Sequence, residues 1–422
     1  MKKDIIGIIG LGYVGLPLAL AFGKKKFVIG FDKNIERVNE LKKGNDRNNE
    51  FKKKIKNINK NIKLTSESNF LSKCNIFIVT VPTPVNNKNL PNLKYLNDAC
   101  KIVGKYIKKD SIFILESTVY PGCLEDYCVP IIEKISKLKF NKDFYCGYSP
   151  ERVNPGDKKH SIDKITKIIS ASNSKSLKKI KDLYELVTKK LHVAKTIRIA
   201  ESAKVIENIQ RDINIALMNE ISIILKKMDI KTKEVLEAAS TKWNFLNFTP
   251  GLVGGHCIGV DPYYFTYKAE KFNYKPKIIL AGRKINNYMA SYVYQKIYLL
   301  KKKFFGKKKI NILVLGLTFK ENISDIRNSQ VIKIIKMMKD KDFKIYAFDP
   351  HISKNIDIKN KKVKIKKNLN SRGFFDAVFI ATPHQKIINM GGKKIKSLCK
   401  KKSFIYDLKS SLEEKYINES LN

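Results

Sequence analysis

The chain has 422 residues, 43% of them hydrophobic, enough apolar material for two or three ordinary cores, which excludes a disordered or fibrous protein. Lys and Arg number 84 against 39 Asp and Glu, a formal charge of +45, yet only eight of the basic residues are Arg (37, 47, 152, 198, 211, 283, 327 and 372). Base and phosphate readout favours the planar Arg fork, so scattered lysine predicts solvated faces that help draw in anionic ligands, with no nucleic-acid partner.

No run approaches the roughly 18 apolar residues of a membrane helix, and Met1-Lys2-Lys3-Asp4 does not open a signal-peptide core. A cytoplasmic protein with no membrane partner is expected. The seven cysteines, odd in number and irregularly spaced, predict reduced thiols without disulfides. Cys123-x4-Cys128 lacks partner ligands and the five histidines (160, 192, 256, 351, 384) are scattered, so no metal site is indicated.

In chain order, short β-rich runs alternate with helical patterns: Ile5 to Ile9, Phe27 to Phe31, Ile76 to Val81, Ile112 to Leu115, Phe144 to Gly147 and Ile165 to Ser170. This alternation predicts an α/β, doubly wound parallel sheet. From Ala200 to Met228 the period changes to 3.6, placing Ala203, Ile206, Ile209, Ile213, Ala216, Leu217 and Ile221 on one apolar face of a long helix. Helical patterns cover Lys231 to Ala239 and Lys277 to Tyr298, and the basic stretch Lys301 to Lys309 reads as a linker. Alternation resumes with Ile310 to Leu315 before Gly316, Ile345 to Phe348 before Asp349, and Ala377 to Ala381 before Thr382-Pro383. Three parts are expected: a Rossmann-like sheet domain over 1–195, a helical segment over 196–300 and a second Rossmann-like sheet domain over 301–422.

The motif Gly10-x-Gly12-x-x-Gly15, spanning Tyr13 and Val14, follows an apolar strand, precedes a helical pattern and has Asp32 at the end of the next apolar run. In that context the glycines let backbone approach a pyrophosphate, and Asp32 suits a ribose 2′-hydroxyl, which favours NAD over NADP. Thr83, in Val81-Pro82-Thr83-Pro84, and Thr118, in Glu116-Ser117-Thr118-Val119, follow strand patterns, either lining the nicotinamide pocket or serving as turn residues. Lys204 and Asn208, four apart, with Arg211 continuing the line, either hold an oxyanion or form a solvated helix face.

Residues 250 to 261, Pro-Gly-Leu-Val-Gly-Gly-His-Cys-Ile-Gly-Val-Asp, mount Cys257 behind Gly254-Gly255, with Asp261 four residues on. A lone cysteine is commonly a small buried hydrophobe; the glycine pair and the carboxylate instead point to a nucleophile with a group to orient a base or a water. His256 is adjacent in sequence and points away, so it is not assigned as a partner.

Together with Glu116-Ser117-Thr118-Val119-Tyr120-Pro121-Gly122 and Ser149-Pro150-Glu151-Arg152-Val153-Asn154-Pro155-Gly156, these residues resemble the UDP-glucose/GDP-mannose dehydrogenase family across essentially the whole chain. The branch acting on UDP-N-acetylhexosamines fits best, because members that oxidise UDP-glucose usually carry Lys where Val260 stands. The resemblance implies four-electron oxidation of a sugar C6 alcohol to a carboxylate with two NAD⁺ in succession, for surface polysaccharide. It implies that a water held by Lys204 and Asp261 takes the first proton, and that Cys257 attacks the bound aldehyde to give a thiohemiacetal and then a thioester. Glu151 acts as acid and base, and Lys204 with Asn208 stabilises the oxyanions.

By the same resemblance Glu151, Arg152, Val153, Lys204, Asn208, Gly254, Gly255, Lys320 and Arg283 contact the UDP-sugar, while Arg37, Thr83, Thr118 and Arg327 join the glycine motif on NAD. Gly316-Leu317-Thr318-Phe319-Lys320 and Asp325-Ile326-Arg327 match the UDP-binding domain, and the central helices match a homodimer core. One departure is Lys242-Trp243-Asn244, where many relatives place an Arg that reaches the partner subunit's substrate. UDP-glucose or GDP-mannose oxidation is the alternative activity; a non-catalytic NAD- or polyanion-binding protein would leave Cys257, Lys204 and Asn208 without a shared purpose.

Overall fold

The computed structural model describes residues 4–47, 60–153, 161–352, 356–358 and 361–421. The chain divides into two compact units, one of 1–208 with 260–275 and the other of 209–259 with 276–422, so the 196–300 segment contributes to both.

The first unit is built on an eight-stranded sheet in the order β3-β2-β1-β4-β5-β6-β7-β8. Its strands are β1 (Ile5–Ile9), β2 (Phe27–Phe31), β3 (Ile62–Thr65), β4 (Ile76–Val79), β5 (Ile112–Leu115), β6 (Tyr145–Tyr148), β7 (Lys167–Ala171) and β8 (Leu191–Val193). Six of the neighbouring pairs run parallel and β6 meets β7 antiparallel. The central strands read as unbroken apolar runs such as Ile-Phe-Ile-Val because helices cover both faces, burying every side chain. The crossover between β1 and β4, where strand order reverses, sets a ligand crevice at the carboxyl edge.

The second unit repeats the plan with β11-β12-β10-β9-β13-β14-β15: β9 (Ile310–Leu315), β10 (Phe343–Phe348), β11 (Ile356–Ile358), β12 (Lys361–Ile365), β13 (Phe375–Ile380), β14 (Cys399–Asp407) and β15 (Glu419–Ser420). Within this second sheet only β11 and β12 pair antiparallel among the described strands. Two long helices, Ile197–Lys227 and Lys277–Phe305, occupy the expected helical region.

Three expectations need correction. The stretch from Lys301 is no linker at its start, since the helix runs on to Phe305: Lys301 is buried and donates to Asp342 at 3.0 Å, while Phe304 packs on Phe404 at 5.7 Å. A lysine stem is apolar over most of its length, so a single buried carboxylate suffices to bring it inside. Ile206 and Leu217, placed on the apolar face of the first long helix, are half exposed. Arg211 is exposed rather than continuing the Lys204–Asn208 line.

Candidate active site

In the first unit the chain turns at the end of β1 through Gly10, whose φ of +99° suits glycine, into the helix Gly15–Phe22. A Cβ on Gly15 would stand 1.8 Å from the Gly10 carbonyl, so that glycine is required by the turn itself. Gly12 is different: it is exposed and a Cβ there meets nothing within 4 Å. With half-buried Tyr13 and Val14, it leaves open space beside a helix N-terminus, where backbone N–H groups and the helix dipole favour a pyrophosphate. Asp32, at the end of β2, accepts Leu11 N–H at 2.8 Å on one oxygen and Asn34 N–H at 2.9 Å on the other, and stays half exposed, with acceptor capacity left for a ribose hydroxyl. These residues fit NAD.

Arg37, expected on the cofactor, faces the protein interior behind the glycine turn. It is buried, its Nε donates to the Leu11 carbonyl at 3.0 Å, and its guanidinium pairs with Asp46 at 2.8 Å. The low exposure turns its charge inward, and it braces the glycine turn.

Beyond β4 and β5 the two Thr loops are tied together: Thr83 Oγ1 donates to the Thr118 carbonyl at 2.7 Å and Ser117 Oγ to the Val81 carbonyl at 2.7 Å. Both threonines serve the turns and remain partly exposed at the sheet's carboxyl edge. Lys204 and Asn208 are buried on one face of the long helix, and Asn208 Nδ2 donates to Asp261 Oδ2 at 2.5 Å. Burial pushes the Asp261 carboxyl up to about 6, against the pull of the Lys204 ammonium and the Asn208 bond. A cation, an amide and a near-neutral-titrating carboxylate thus share one buried patch, and the solvated-face reading of Lys204 and Asn208 falls.

Glu151 Oε1 accepts the N–H groups of Arg152 at 2.7 Å and Val153 at 2.6 Å, which fixes the carboxylate on its own loop; Asn154-Pro155-Gly156 lie outside the described residues. The Arg152 guanidinium is engaged with Glu207 at 2.8 Å and the Thr166 carbonyl at 2.8 Å, tying that loop to the long helix.

Two buried acids beneath these loops escaped sequence reasoning. Glu116 receives Lys167 Nζ at 2.7 Å and Tyr184 O–H at 2.5 Å, and Lys167 also reaches the Pro150 carbonyl at 3.3 Å. Burial pushes Glu116 up to about 7 although Lys167 opposes it. Glu201, one turn before Lys204, accepts Gly122 N–H at 2.5 Å and Leu124 N–H at 2.9 Å, and burial pushes it up to about 8. Partners 51 to 79 residues apart leave no local signal.

In the second unit Gly254 and Gly255 lie against the loop after β9. A Cβ on Gly254 would come 2.9 Å from the Asn328 carbonyl oxygen, and one on Gly255, whose φ is +81°, 2.6 Å from the Phe319 ring. Asn328 Nδ2 donates to the Gly255 carbonyl at 3.1 Å, and His256 Nε2 lies 3.2 Å from Asp325 Oδ2. The resulting loop presents Cys257 to solvent, whereas the other six cysteines are buried. Asp325 is also held by Arg327; burial would raise its pKa, but the His256 and Arg327 hydrogen bonds prevail and keep it well below the usual carboxylate range. The Arg327 side chain is itself half exposed.

Arg283, expected to contact the substrate, is buried beneath the loop. Its Nη1 donates to Asp212 at 2.6 Å and Nη2 to Asn287 at 2.6 Å, with the guanidinium 3.9 Å from where a Gly259 Cβ would stand. A buried guanidinium needs a carboxylate, and Asp212 supplies it. Asn219 continues this support, exchanging bonds with both Gly251 N–H and carbonyl at 2.8 and 3.0 Å, and with Asn286 at 2.8 Å. Asp212, Asn219 and Asn286 were also missed, because each reads as an ordinary helix residue.

At the carboxyl edge of the second sheet a small cleft is lined by Leu252, Phe319, Glu321, Thr382 and Lys409 among others. Lys409 pairs with Glu321 at 2.5 Å, and half-buried Lys320 lies on the same loop as Phe319. Lys409 lacked any motif to flag it.

No helix among the described residues is long and apolar enough to cross a membrane. Residues 4–188, 198–288 and 313–414 match the NAD binding, central and UDP binding domains of the UDP-glucose/GDP-mannose dehydrogenase family. The chain is 46% identical to the UDP-N-acetyl-D-glucosamine 6-dehydrogenase of Pseudomonas aeruginosa over 98% of both chains, and 46% identical to protein CapL of Staphylococcus aureus, again over 98% of both. The solved UDP-D-ManNAc dehydrogenase of Pyrococcus horikoshii superposes with a TM-score of 0.88 at 27% identity, covering 99% of each chain. With the glycine turn, the Lys204–Asn208–Asp261 patch and the cysteine loop in place, the chain belongs to the UDP-glucose/GDP-mannose dehydrogenase family and is an NAD-dependent nucleotide-sugar dehydrogenase.

Proposed function

We propose that this enzyme oxidises the C6 hydroxyl of a UDP-N-acetylhexosamine to the uronic acid, UDP-GlcNAc being the favoured donor, and that the product serves surface polysaccharide. Identity supports the donor: 46% to a UDP-N-acetyl-D-glucosamine 6-dehydrogenase against 33% to a UDP-N-acetyl-D-mannosamine dehydrogenase. The observation that carries the chemistry is the buried Lys204–Asn208–Asp261 patch, a preformed place to hold a water and an oxyanion.

Gly10, Gly12, Tyr13, Val14, Gly15 and Asp32 with Thr83, Thr118 and Arg327 would hold NAD⁺, which when bound would supply the hydride acceptor for both oxidations. Asp261 and Lys204 orient a water that takes the C6 hydroxyl proton. The Cys257 thiolate then attacks the aldehyde carbon, forming a C–S bond, while Lys204 and Asn208 hold the developing alkoxide. After the second oxidation a water, activated by Glu151, cleaves the thioester C–S bond and returns the thiolate. Val153, Gly254, Gly255, Lys320 and Lys409 line the path of the nucleotide sugar.

We infer a homodimer as well. On the second unit's part of the long helix and just past its end, Leu217, Ile224 and Met228 are spaced seven and four apart and are 49, 51 and 61% exposed, with Leu299 of the Lys277–Phe305 helix 59% exposed. A stripe of that kind calls for a second copy.

Initial rates of NADH formation with UDP-GlcNAc, UDP-GalNAc, UDP-ManNAc, UDP-glucose and GDP-mannose test the donor. UDP-GlcNAc giving the highest kcat/KM is the expected result, and a higher value for UDP-glucose or GDP-mannose would overturn the assignment.

A further inference from the structure

The two sheets end their second strands on the same device. Asp32 after β2 accepts Leu11 N–H and Asn34 N–H; Asp349 after β10 accepts Leu317 N–H at 2.7 Å and His351 N–H at 2.8 Å. In both, the glycine after the central strand donates to the carbonyl preceding the acid: Gly10 to Phe31 at 2.8 Å and Gly316 to Phe348 at 2.9 Å. The acids then part ways. Asp32 is half exposed, whereas Asp349 is 4% exposed and faces His384 Nε2 at 3.1 Å. The place that would serve a ribose hydroxyl in the first sheet is filled in the second by a side chain of the protein.

His384 is fully buried, and its partners fix its tautomer. Asn322 N–H points to Nδ1 at 2.8 Å, so Nδ1 is an acceptor and carries no proton. Nε2 therefore holds the hydrogen, shared between Asp349 and Thr318 Oγ1, the latter at 3.2 Å. Thr318 Oγ1 in turn donates to the Lys320 carbonyl at 2.8 Å, and Asn322 Oδ1 accepts Gln385 N–H at 3.0 Å. The ring grips residues 318–322 from both ends of the loop that carries Phe319 and Lys320.

We infer that His384 is a positioning residue for nucleotide-sugar binding, converting a dinucleotide-type acid, Asp349, into an inward anchor that holds the Lys320 loop in its binding shape. The inference rests on Lys320 as a nucleotide-sugar contact. Asp349, so engaged and buried, leaves no face for a ribose at the position where Asp32 keeps one.

The test uses the full chain, UDP as the calorimetric probe, and amide hydrogen exchange. His384→Leu removes all three ring contacts and is expected to weaken UDP about tenfold, the effect of losing one or two buried hydrogen bonds, and to raise KM for the nucleotide sugar similarly. The KM for NAD and kcat should stay within about twofold, and the Asn322 amide should exchange faster. His384→Gln, which keeps one acceptor and one donor, is expected to recover most of the affinity, and Thr318→Val, nearly isosteric, to loosen UDP in the same direction. Unchanged exchange at Asn322, or a loosened loop with unaltered UDP affinity, overturns the inference. Unaltered UDP affinity in Lys320→Ala instead overturns only the assignment of Lys320, because exchange at Asn322 reports the His384 grip directly.

Discussion

Within the glycine motif, two residues of the same type do different work. Gly15 is forced by a Cβ position 1.8 Å from a carbonyl, while nothing lies within 4 Å of a Cβ on Gly12. Gly12→Ala should therefore keep the melting temperature within about 2 °C and raise KM for NAD at least tenfold, whereas Gly15→Ala should fail to fold or melt far lower. Equal effects of the two substitutions in a thermal melt and an NAD titration would contradict the open-site reading. Asp261 gives a second handle. Its pKa is raised to about 6, so the carboxylate we propose to hold the reactive water is lost as pH falls through that value. The kcat/KM profile should drop below pH 6, and Asp261→Asn should lower kcat by about a hundredfold or more and erase the acid limb. A limb that survives in the variant would assign it to another group. These residues were legible because the glycine motif, the i, i+4 helix pair and the cysteine loop each fit within a dozen positions. Glu116, Glu201 and His384 were not, since a buried acid or histidine in sequence looks like any surface one until partners 35 to 79 positions away close around it.

Among the elements, the strands were read well where an apolar run was unbroken, as in β1, β2, β5 and β9, and missed where Lys interrupted it, as in β3 with Ile62-Lys63-Leu64-Thr65 and β14 with its three successive lysines. The helix end at Lys301 to Phe305 failed for the opposite reason: composition suggested solvent, and Asp342 with Phe404 supplied a buried site. The cysteine loop shows how an element is held from behind. Arg283 pairs with Asp212 under Gly259, and Asn219 clasps Gly251. Arg283→Met should leave Asp212 buried and unpaired, lowering stability by about 3 kcal/mol and kcat by tenfold or more, without the direct loss of UDP affinity that a substrate contact would show. A denaturant melt beside UDP calorimetry separates these; lost UDP affinity with unchanged stability would restore Arg283 to the substrate.

At the scale of the whole molecule, the two-sheet α/β fold followed from alternating apolar and helical runs and the family from short motifs, while the division of the 196–300 segment between two units did not, because helical periodicity says nothing of which sheet a helix covers. Leu217→Glu with Ile224→Lys should convert a dimer to a monomer in light scattering, and a wild-type chain that is already monomeric would remove the homodimer. The formal charge of +45 also has a global consequence: KM for the doubly anionic nucleotide sugar should rise with ionic strength while kcat holds, as screening shortens the field. Cys257 is proposed to carry the covalent second oxidation. The most direct measurement counts NADH formed per UDP-GlcNAc consumed by the wild-type enzyme and by Cys257→Ser. Two NADH per sugar for the wild type, with complete turnover lost in a folded Cys257→Ser, is the predicted result; one NADH for the wild type, or two for the variant, would contradict it.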